Sequence, residues 1–342
     1  MATIKEIAKI VGVSPTTVSN VIHGRRNKVS AKNYKKVKRA LEENNYVSNM
    51  GGWLLGRHGS RIIGVILNYS RRSEINVVSD PFYNQLIGFL EEQIRNKGFF
   101  MMLYTSASVP ESMKFVTAWD IEGLIILGAL PEDAKEFIQQ AKKPLAFIDA
   151  YVDAKSINKS FINIGLDDYR GGYEITKYLI SLGHRNIGFC ADGKKLIGVD
   201  QQRFLGFKQA LKEAGIEFDD RYFFGLDYRM ANRHKELIDL LNDKLPNLTA
   251  LVFTSDFLAI DAINVFLDHG IKVPDDVSIT GFDHNIFSKL FRPRLTTVEQ
   301  NIRKKAELAV NCLMQCINRK ENEMIDQKLD VKLIIGESTT EK

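Results

Sequence analysis

Cysteine is scarce in this chain, which has three cysteines in 342 residues. A small, odd number of cysteines argues against a disulfide framework and for a reducing compartment. Cys312 and Cys316 are four residues apart on a predicted helix and share a face, but no histidine or third cysteine accompanies them. We therefore expect buried apolar cysteines, with no metal site and no cofactor.

Long apolar runs are also absent. No stretch of the sequence approaches the roughly 18 consecutive apolar residues that a membrane-spanning helix needs. The first residues have the pattern of a capped helix without a central apolar run, so we expect no secretory signal peptide. Together these observations predict a cytoplasmic protein that does not bind a membrane.

Enzyme motifs are a third absence. The sequence has no Gly-x-Ser-x-Gly nucleophile motif and no pair of histidines with metal-ligand spacing. Residues 188–195, GFCADGKK, approach a phosphate-binding loop, but Lys195 stands where Ser or Thr would coordinate Mg²⁺. We therefore interpret this segment as a strand-to-helix turn and predict that the chain is not an enzyme.

Positive charge is concentrated at the N-terminal end. Residues 1–60 hold eleven Lys or Arg and three Glu, whereas the whole chain has a formal net charge of only +5. The remaining residues therefore carry a net charge of −3. A basic head on a body of low charge is typical of nucleic-acid binding. An anionic membrane surface is the alternative partner, but no amphipathic or apolar span supports it.

Residues 3–23, TIKEIAKIVGVSPTTVSNVIH, have the pattern of two helices joined by a tight turn. Thr3 and Glu6 have the spacing of a capping box, Gly12 breaks the first helix, and Ser14 followed by Pro15 begins the second. The outward face of the second helix carries short polar side chains that suit the major groove, where they offer donors and acceptors to base edges. On these two helices alone, an ordinary helical hairpin with a solvated face remains an equal alternative.

A third helix and an apolar linker follow. Ser30 is predicted to cap a helix over residues 31–43 whose outer face carries Lys and Arg, and Tyr46 closes a three-helix unit. Residues 48–60, SNMGGWLLGRHGS, are glycine-rich but contain large apolar side chains. Since a plain linker is usually polar, this segment suggests contact with a partner chain or a DNA groove.

From residue 61 onward, strands and helices alternate. Buried strands are predicted at 62–67, 100–104, 123–127, 145–148, 187–190, 250–254, 277–280 and 331–335, with amphipathic helices between most of them. This order predicts an α/β fold with two doubly wound parallel-sheet lobes. A ligand cleft is expected between the lobes, at the carboxyl ends of the strands.

Together these motifs resemble the lactose-repressor/galactose-repressor (LacI/GalR) family of bacterial transcription regulators over essentially the full length. The motifs that carry the resemblance are TIKEIA (3–8), VSPTTVS (13–19), VSAK (29–32), NNYVSN (44–49), IIGV (62–65), GHRNIGF (183–189), PDDVSITGFD (274–283) and LTTV (295–298). The resemblance implies a sequence-specific repressor that binds a pseudo-palindromic operator as a homodimer and is switched by a small effector. A dimer is expected rather than a tetramer, because no leucine heptad follows the last predicted strand.

The family pattern also implies the domain organisation. It places a helix-turn-helix DNA-binding domain at 1–47, a hinge at 48–60 and an effector-binding and dimerisation domain of the periplasmic-binding-protein-like type at 61–342. Lobe 1 would comprise about 61–162 and 293–321, and lobe 2 about 163–292 and 322–340.

The resemblance implies a set of DNA-contacting positions. They are Thr3, Ile4, Lys5, Ser14, Pro15, Thr16, Thr17, Ser19, Asn20, His23, Ser30, Tyr46, Asn49 and Leu55. Pro15, Thr16 and Asn20 occupy base-reading positions, and Leu55 would wedge into the minor groove from a hinge helix. Gly51 and Gly52 depart from the family pattern and weaken that helix, so a flexible linker without groove contact is the alternative.

The effector positions implied by the resemblance are Asn68, Phe82, Asp149, Arg203, Tyr228, Ser255 and Asp283. Carboxylates accept from hydroxyl groups, Arg203 donates, and the rings of Phe82 and Tyr228 offer flat apolar faces. This chemistry suits a sugar or a sugar phosphate, although each aspartate taken alone could equally be a solvated group at a strand end. The alternatives are an architectural or corepressor-dependent DNA-binding regulator without a sugar effector, and an exported solute receptor.

Glu337 stands where members of the family often carry Arg, and the sequence offers no reason for this difference.

Overall fold

A computed structural model gives the fold of the protein and describes residues 2–22, 24–46, 59–68, 77–152, 159–319 and 324–342. The chain divides into two units, Met1–Ser60 and Arg61–Lys342, which we call the head and the body. The predicted hinge at 48–60 lies almost entirely outside the described residues, as do Gly51, Gly52 and Leu55.

The head contains the predicted helices, namely α1 (Ile4–Val11), α2 (Pro15–Ile22) and α3 (Ala31–Glu43). The capping box forms: the backbone N–H of Thr3 donates to the Glu6 carboxylate at 2.7 Å, and the backbone N–H of Glu6 donates to the Thr3 hydroxyl at 3.3 Å. Gly12 ends α1 in the left-handed conformation (φ 71°), which glycine adopts without strain. Ile7, Val18 and Val37 are fully buried in a core shared by the helices, which leaves the polar face of α2 outward.

The first sheet of the body is parallel, with the strand order β11-β5-β4-β3-β1-β2. Its strands are β1 (Ile62–Asn68), β2 (Phe100–Ser106), β3 (Gly123–Leu127), β4 (Leu145–Ile148), β5 (Ile162–Leu166) and β11 (Ile325–Leu329). The helices that accompany it are α4 (Pro81–Asn96), α5 (Val109–Ala118), α6 (Pro131–Gln140) and α12 (Ile302–Arg319).

The second sheet is also parallel, with the order β7-β6-β8-β9, and a separate antiparallel pair joins β10 to β12. The strands are β6 (Ile187–Asp192), β7 (Phe223–Leu226), β8 (Ala250–Phe253), β9 (Ser278–Thr280), β10 (Thr297–Glu299) and β12 (Lys332–Ile334). The helices are α7 (Asp168–Ser181), α8 (Val199–Glu213), α9 (Met230–Asp243), α10 (Asp256–Asp268) and α11 (Ile286–Leu290). The predicted fold class, a helical head followed by two parallel-sheet lobes, is confirmed.

The chain leaves the first sheet a few residues later than the lobe boundaries near 162 and 322 would require. β5 and β11 pair with each other in parallel, and β5 also pairs with β4, so both strands belong to lobe 1. Ile162 and Ile164 are buried in the core of the first lobe, which explains why β5 completes this sheet. The crossings therefore follow Leu166 and Leu329.

The structure also shows the surroundings of the cysteines, which the sequence predicted to be buried, and of Glu337, which the sequence left unexplained. Cys190 and Cys316 are buried and Cys312 is half-buried, and none of these three described cysteines is in a disulfide. Glu337 has a structural partner, because its carboxylate lies 2.6 Å from the guanidinium of Arg294 and also accepts from the Arg294 backbone N–H at 2.9 Å.

In the part of the chain that the structure describes, no helix is long and apolar enough to cross a membrane.

Candidate functional site

A cavity of about 360 Å³ lies at the carboxyl ends of strands from both sheets of the body. This volume is within the range of small-molecule sites. Strand order explains its position, because the carboxyl ends of parallel strands meet at one edge of a sheet. The cavity wall includes six of the seven predicted effector residues, namely Phe82, Asp149, Arg203, Tyr228, Ser255 and Asp283.

Asn68 is the seventh predicted residue, and the structure does not bring it to the cavity wall. It lies buried at the end of β1, where its side-chain amide donates to the carboxylate of Asp133 on α6 at 2.8 Å. Its donor is therefore committed to a contact within lobe 1.

A buried polar chain joins the two predicted aspartates across the cleft. Lys305 on α12 is fully buried, and its Nζ lies 2.7 and 2.6 Å from the two carboxylate oxygens of Asp149, which follows β4. The same Nζ donates to Gln300 Oε1 at 2.6 Å, and Gln300 Nε2 donates to Asp283, which follows β9. These four side chains connect the strand end of lobe 1 to the strand end of lobe 2.

Sequence reasoning missed Lys305 and Gln300. Ile302, Ala306 and Ala309 form the buried face of α12, and Lys305 lies on that face in place of an apolar side chain. The sequence did contain a signal, namely a charged residue at an inward position of an amphipathic helix. Because burying an unpaired charge is costly, such a residue indicates a buried partner.

Arg203 on α8 is held by ion pairing before any ligand binds. Its guanidinium lies 2.7 Å from the carboxylate of Asp168, donates to the Thr254 carbonyl and stacks 3.7 Å from the ring centroid of Phe282. The Tyr151 hydroxyl donates to the second carboxylate oxygen of Asp168, which ties lobe 1 to this pair. Arg203 therefore reaches the cavity with its orientation fixed.

Two glycines make this placement possible. A Cβ on Gly206 would lie 1.9 Å from the Tyr169 carbonyl oxygen, and a Cβ on Gly172 would lie 2.0 Å from the Arg203 carbonyl oxygen. The backbones of α7 and α8 therefore approach so closely that only glycine fits at either position. This approach brings Asp168 and Arg203 together.

Arg233 is a cavity residue that sequence reasoning missed. It is buried, its Nε donates to Asp261 at 2.6 Å, and its Nη1 donates to the Tyr228 carbonyl at 3.1 Å. Its Nη2 has no hydrogen-bond partner among the described residues. Arg233 therefore lines the cavity while one of its buried donors lacks a protein partner, and a hydrogen bond to that donor would remove a desolvation penalty.

Several carboxyl groups of the cavity have shifted pKa values. Burial raises the pKa of Asp200 from 3.8 to about 7, although attraction to Arg203 opposes the shift. Removal from bulk water likewise raises the pKa of Asp80, Asp192 and Asp283. At a pKa of about 7 the Asp200 carboxyl is partly protonated at neutral pH, and in that form it both donates to and accepts from hydroxyl groups.

Aromatic rings complete the cavity wall. Phe82 and Tyr83 lie edge to face with ring centroids 5.3 Å apart, and Tyr228 and Phe257 line the cavity from lobe 2. Flat apolar faces beside polar groups match the alternating C–H and O–H surfaces of a sugar ring.

The head presents its predicted DNA-contacting residues on one face of α2 and at its flanks. Thr3, Lys5, Ser14, Pro15, Thr16 and Ser30 are exposed, and Ile4, Thr17, Ser19, Asn20 and Tyr46 are half-buried. Ser14 accepts from the backbone N–H of Thr17 at 3.1 Å, which fixes the start of α2. His23, Asn49 and Leu55 lie outside the described residues, so the predicted wedge remains a prediction.

Comparison with known proteins supports both units. Residues 3–49 match the family model of bacterial regulatory proteins of the lacI family, and residues 176–339 match a periplasmic binding protein-like domain. The regulator DegA of Bacillus subtilis is 33% identical over 88% of this chain and 87% of its own length. The repressor PurR of Pasteurella multocida is 30% identical over 99% of this chain and 98% of its own length. The chain belongs to the LacI family. It is a DNA-binding transcription regulator with a ligand-binding body.

Solved structures of transcription regulators share the fold over 82% or more of the chain. The lac repressor dimer bound to operator and an anti-inducer covers 99% of both chains with a TM-score of 0.81 at 23% identity. The CelR–cellobiose complex covers 99% of this chain and 100% of its own with a TM-score of 0.71 at 25% identity. A LacI-family regulator from Enterococcus faecium with bound ribose covers 82% of this chain and 99% of its own with a TM-score of 0.70.

Proposed function

We propose that this protein is a homodimeric repressor that binds a pseudo-palindromic operator and is switched by a small polyhydroxylated effector. The observation that carries the proposal is the convergence of six effector positions, far apart in sequence, on one cavity of about 360 Å³. The chain is accordingly a binding protein rather than an enzyme in this proposal.

Operator reading is assigned to α2. Pro15 and Thr16 are exposed at its start, and the half-exposed Asn20 lies one turn further on the same helix. An asparagine amide can pair bidentately with adenine N6 and N7 in the major groove. The surrounding Lys and Arg residues of the head supply the phosphate contacts that position the helix.

Dimer formation is supported by an apolar sheet edge. β2 is the last strand of the first sheet, and its sequence FMMLYTS begins with Phe100, which is 56% exposed. An edge strand with an exposed aromatic side chain favours association with another surface. A two-fold dimer covers this edge and places two heads on two half-sites.

The effector class rests on the chemistry of the cavity wall. Carboxyl groups, a free guanidinium donor and aromatic faces suit a ligand with many hydroxyl groups. Structural neighbours with cellobiose, ribose and D-xylulofuranose bound support the same class.

Switching is assigned to the relative position of the two lobes. A ligand that contacts Asp149 and Asp283 competes with the chain of side chains that joins them through Lys305 and Gln300. Rearrangement of this chain shifts the lobes and, through the hinge proposed at 48–60, the affinity for DNA. A coupling free energy of about 1–3 kcal/mol is typical of such linkage.

Two measurements test the proposal. Selection of random duplexes on the purified protein should enrich a pseudo-palindrome, and failure to prefer any duplex over scrambled competitor at moderate salt would refute sequence-specific reading.

Thermal unfolding across a panel of sugars should reveal a stabilising ligand, since a ligand at 100 times its Kd adds about 2.7 kcal/mol to the free energy of unfolding. A broad panel without a hit favours the architectural or corepressor-dependent alternative.

A further inference from the structure

The cations around the cavity are already neutralised by partners within the protein. Arg203 pairs with Asp168 at 2.7 Å, and Arg233 pairs with Asp261 at 2.6 Å. Lys305 pairs with Asp149 at 2.6 Å. Each of these cations is buried, so its charge is balanced at short range and in a poorly screened environment.

Four further carboxyl groups of the cavity wall have no such partner among the residues that the structure describes. Asp80, Asp192, Asp200 and Asp283 all line the cavity. Within the described parts of the chain, none of them lies within 4.0 Å of a Lys, Arg or His nitrogen. The cavity therefore carries a surplus of acidic groups, which raise one another's pKa, as Asp192 does for Asp80 and Asp200.

One helix N-terminus at the cavity is occupied by a carboxylate as well. Helix N-termini commonly bind phosphate because their N–H groups and dipole attract anions. Here Asp80 caps α4 and accepts from the backbone N–H groups of Phe82 and Tyr83 at 2.9 and 3.3 Å. Asp200 lies in the first turn of α8, whose N-cap residue Gly198 has no side-chain cap, and the Ser255 hydroxyl caps α10. At α4, the position that would receive a phosphate therefore already holds one of the protein's own carboxylates.

We propose that the cavity selects a polyhydroxylated ligand without a phosphate or carboxylate group, because its cations are internally paired and four further carboxyl groups line its wall. This inference rests on the proposed function and narrows the effector from sugars and sugar phosphates to sugars without an anionic group. Arg233 Nη2 then serves as a hydrogen-bond donor to a hydroxyl, since Asp261 already balances the charge of its guanidinium.

Matched ligand pairs test the inference on the full-length protein. Ribose and ribose 5-phosphate, glucose and glucose 6-phosphate, and cellobiose and its 6′-phosphate are compared by thermal unfolding and titration calorimetry, with glucosamine as a cationic arm. The unphosphorylated member of any pair that binds should bind about tenfold or more tightly than its phosphate, because like charges at a binding site are strongly unfavourable. Higher ionic strength should reduce the ratio of the affinity for the sugar to the affinity for its phosphate, because salt screens the repulsion between like charges.

A charge-removal variant provides the matched test. The quantity compared is the affinity for the phosphorylated ligand divided by the affinity for its parent sugar. This ratio should be higher for the Asp192→Asn/Asp200→Asn protein than for the wild type. Asp239→Asn, at an exposed position of α9 away from the cavity, removes one of the same charges and should leave the ratio unchanged.

Each outcome decides between the claims. A phosphorylated ligand that binds as tightly as its parent overturns the inference while leaving the proposed function intact. Glucosamine binding at least as tightly as glucose supports the inference, because surplus carboxylates attract an ammonium group. If no member of any pair binds, the polyhydroxylated effector is rejected and the inference falls with it.

Discussion

The ammonium of Lys305 lies between the two carboxylate oxygens of Asp149, at 2.7 and 2.6 Å, inside the protein. Lys305 is fully buried on α12, and Asp149 follows β4 at the cavity wall. An aspartate expected to contact the effector is therefore already bound by the protein's own cation. A ligand reaches Asp149 only by sharing it with Lys305 or by displacing this contact.

Breaking this pair should destabilise the body. Lys305→Met leaves the Asp149 carboxylate without its cation, and losing one partner of a buried ion pair typically costs about 3–5 kcal/mol. Urea unfolding measures the loss, and the double variant Lys305→Met/Asp149→Asn should recover much of it. Lys304→Met is the matched control, because Lys304 forms a solvent-exposed pair with Glu307 and its removal should cost about 1 kcal/mol or less. Equal losses in the two single variants would contradict a buried pair at Lys305.

Asp200 should make stability depend on pH. Its pKa is about 7 in the folded protein and 3.8 is its ordinary value, so the folded state binds the proton more tightly between these two pH values. Stability then falls as pH rises through this window, by up to about 1.4 kcal/mol per pH unit for this group. Asp200→Asn removes the dependence, so its stability advantage over the wild type should grow from pH 5 to pH 7 in thermal unfolding. Asp239→Asn is the control, and its difference in stability from the wild type should stay constant between pH 5 and pH 7. If the stability difference for Asp200→Asn is also constant over this range, Asp200 is charged throughout it.

The close approach of α7 and α8 should not tolerate a methyl group. Gly206→Ala places a Cβ 1.9 Å from the Tyr169 carbonyl oxygen, so the helices must separate, which typically costs about 1–3 kcal/mol or more. Separation also moves Arg203 away from Asp168, so ligand binding should weaken together with stability. Gly88→Ala on α4 is the matched control, since a Cβ there has nothing within 4 Å and alanine favours the helix. A Gly206→Ala protein as stable as the wild type would rule out the observed helix spacing.

Asn20 should read one base pair in each operator half-site. Asn20→Ala should cost about 1–3 kcal/mol of binding at one symmetric pair of operator positions and relax the preference there. Binding to an operator library, quantified by sequencing, measures this loss position by position. Asn33→Ala removes the same amide from α3 and should leave the sequence preference unchanged. Uniform weakening on every sequence, including random DNA, would instead make Asn20 a backbone contact.

The sequence by itself determined the elements and their class. Caps, glycine breaks and apolar periodicity are local, so helices such as α1 and α3 and the buried strands β1 to β4 begin and end within two residues of their predicted bounds. The sequence did not indicate β5 and β11, and their pairing with each other joins residues more than a hundred positions apart in the chain. Family resemblance supplied the effector positions, and most of them do converge on one cavity.

Only the tertiary structure decided how the charges of the cavity are matched. Whether a carboxylate is free to bind a ligand depends on which cation lies beside it, and the spacing of Asp149 and Lys305 along the chain carries no information about that distance. The same holds for Asn68, which is committed to Asp133, and for Arg233, whose free donor arises from the position of Asp261. Local sequence sets which groups are present, whereas hydrogen-bond and ion-pair energies depend on distances and burial that exist only after the chain has folded.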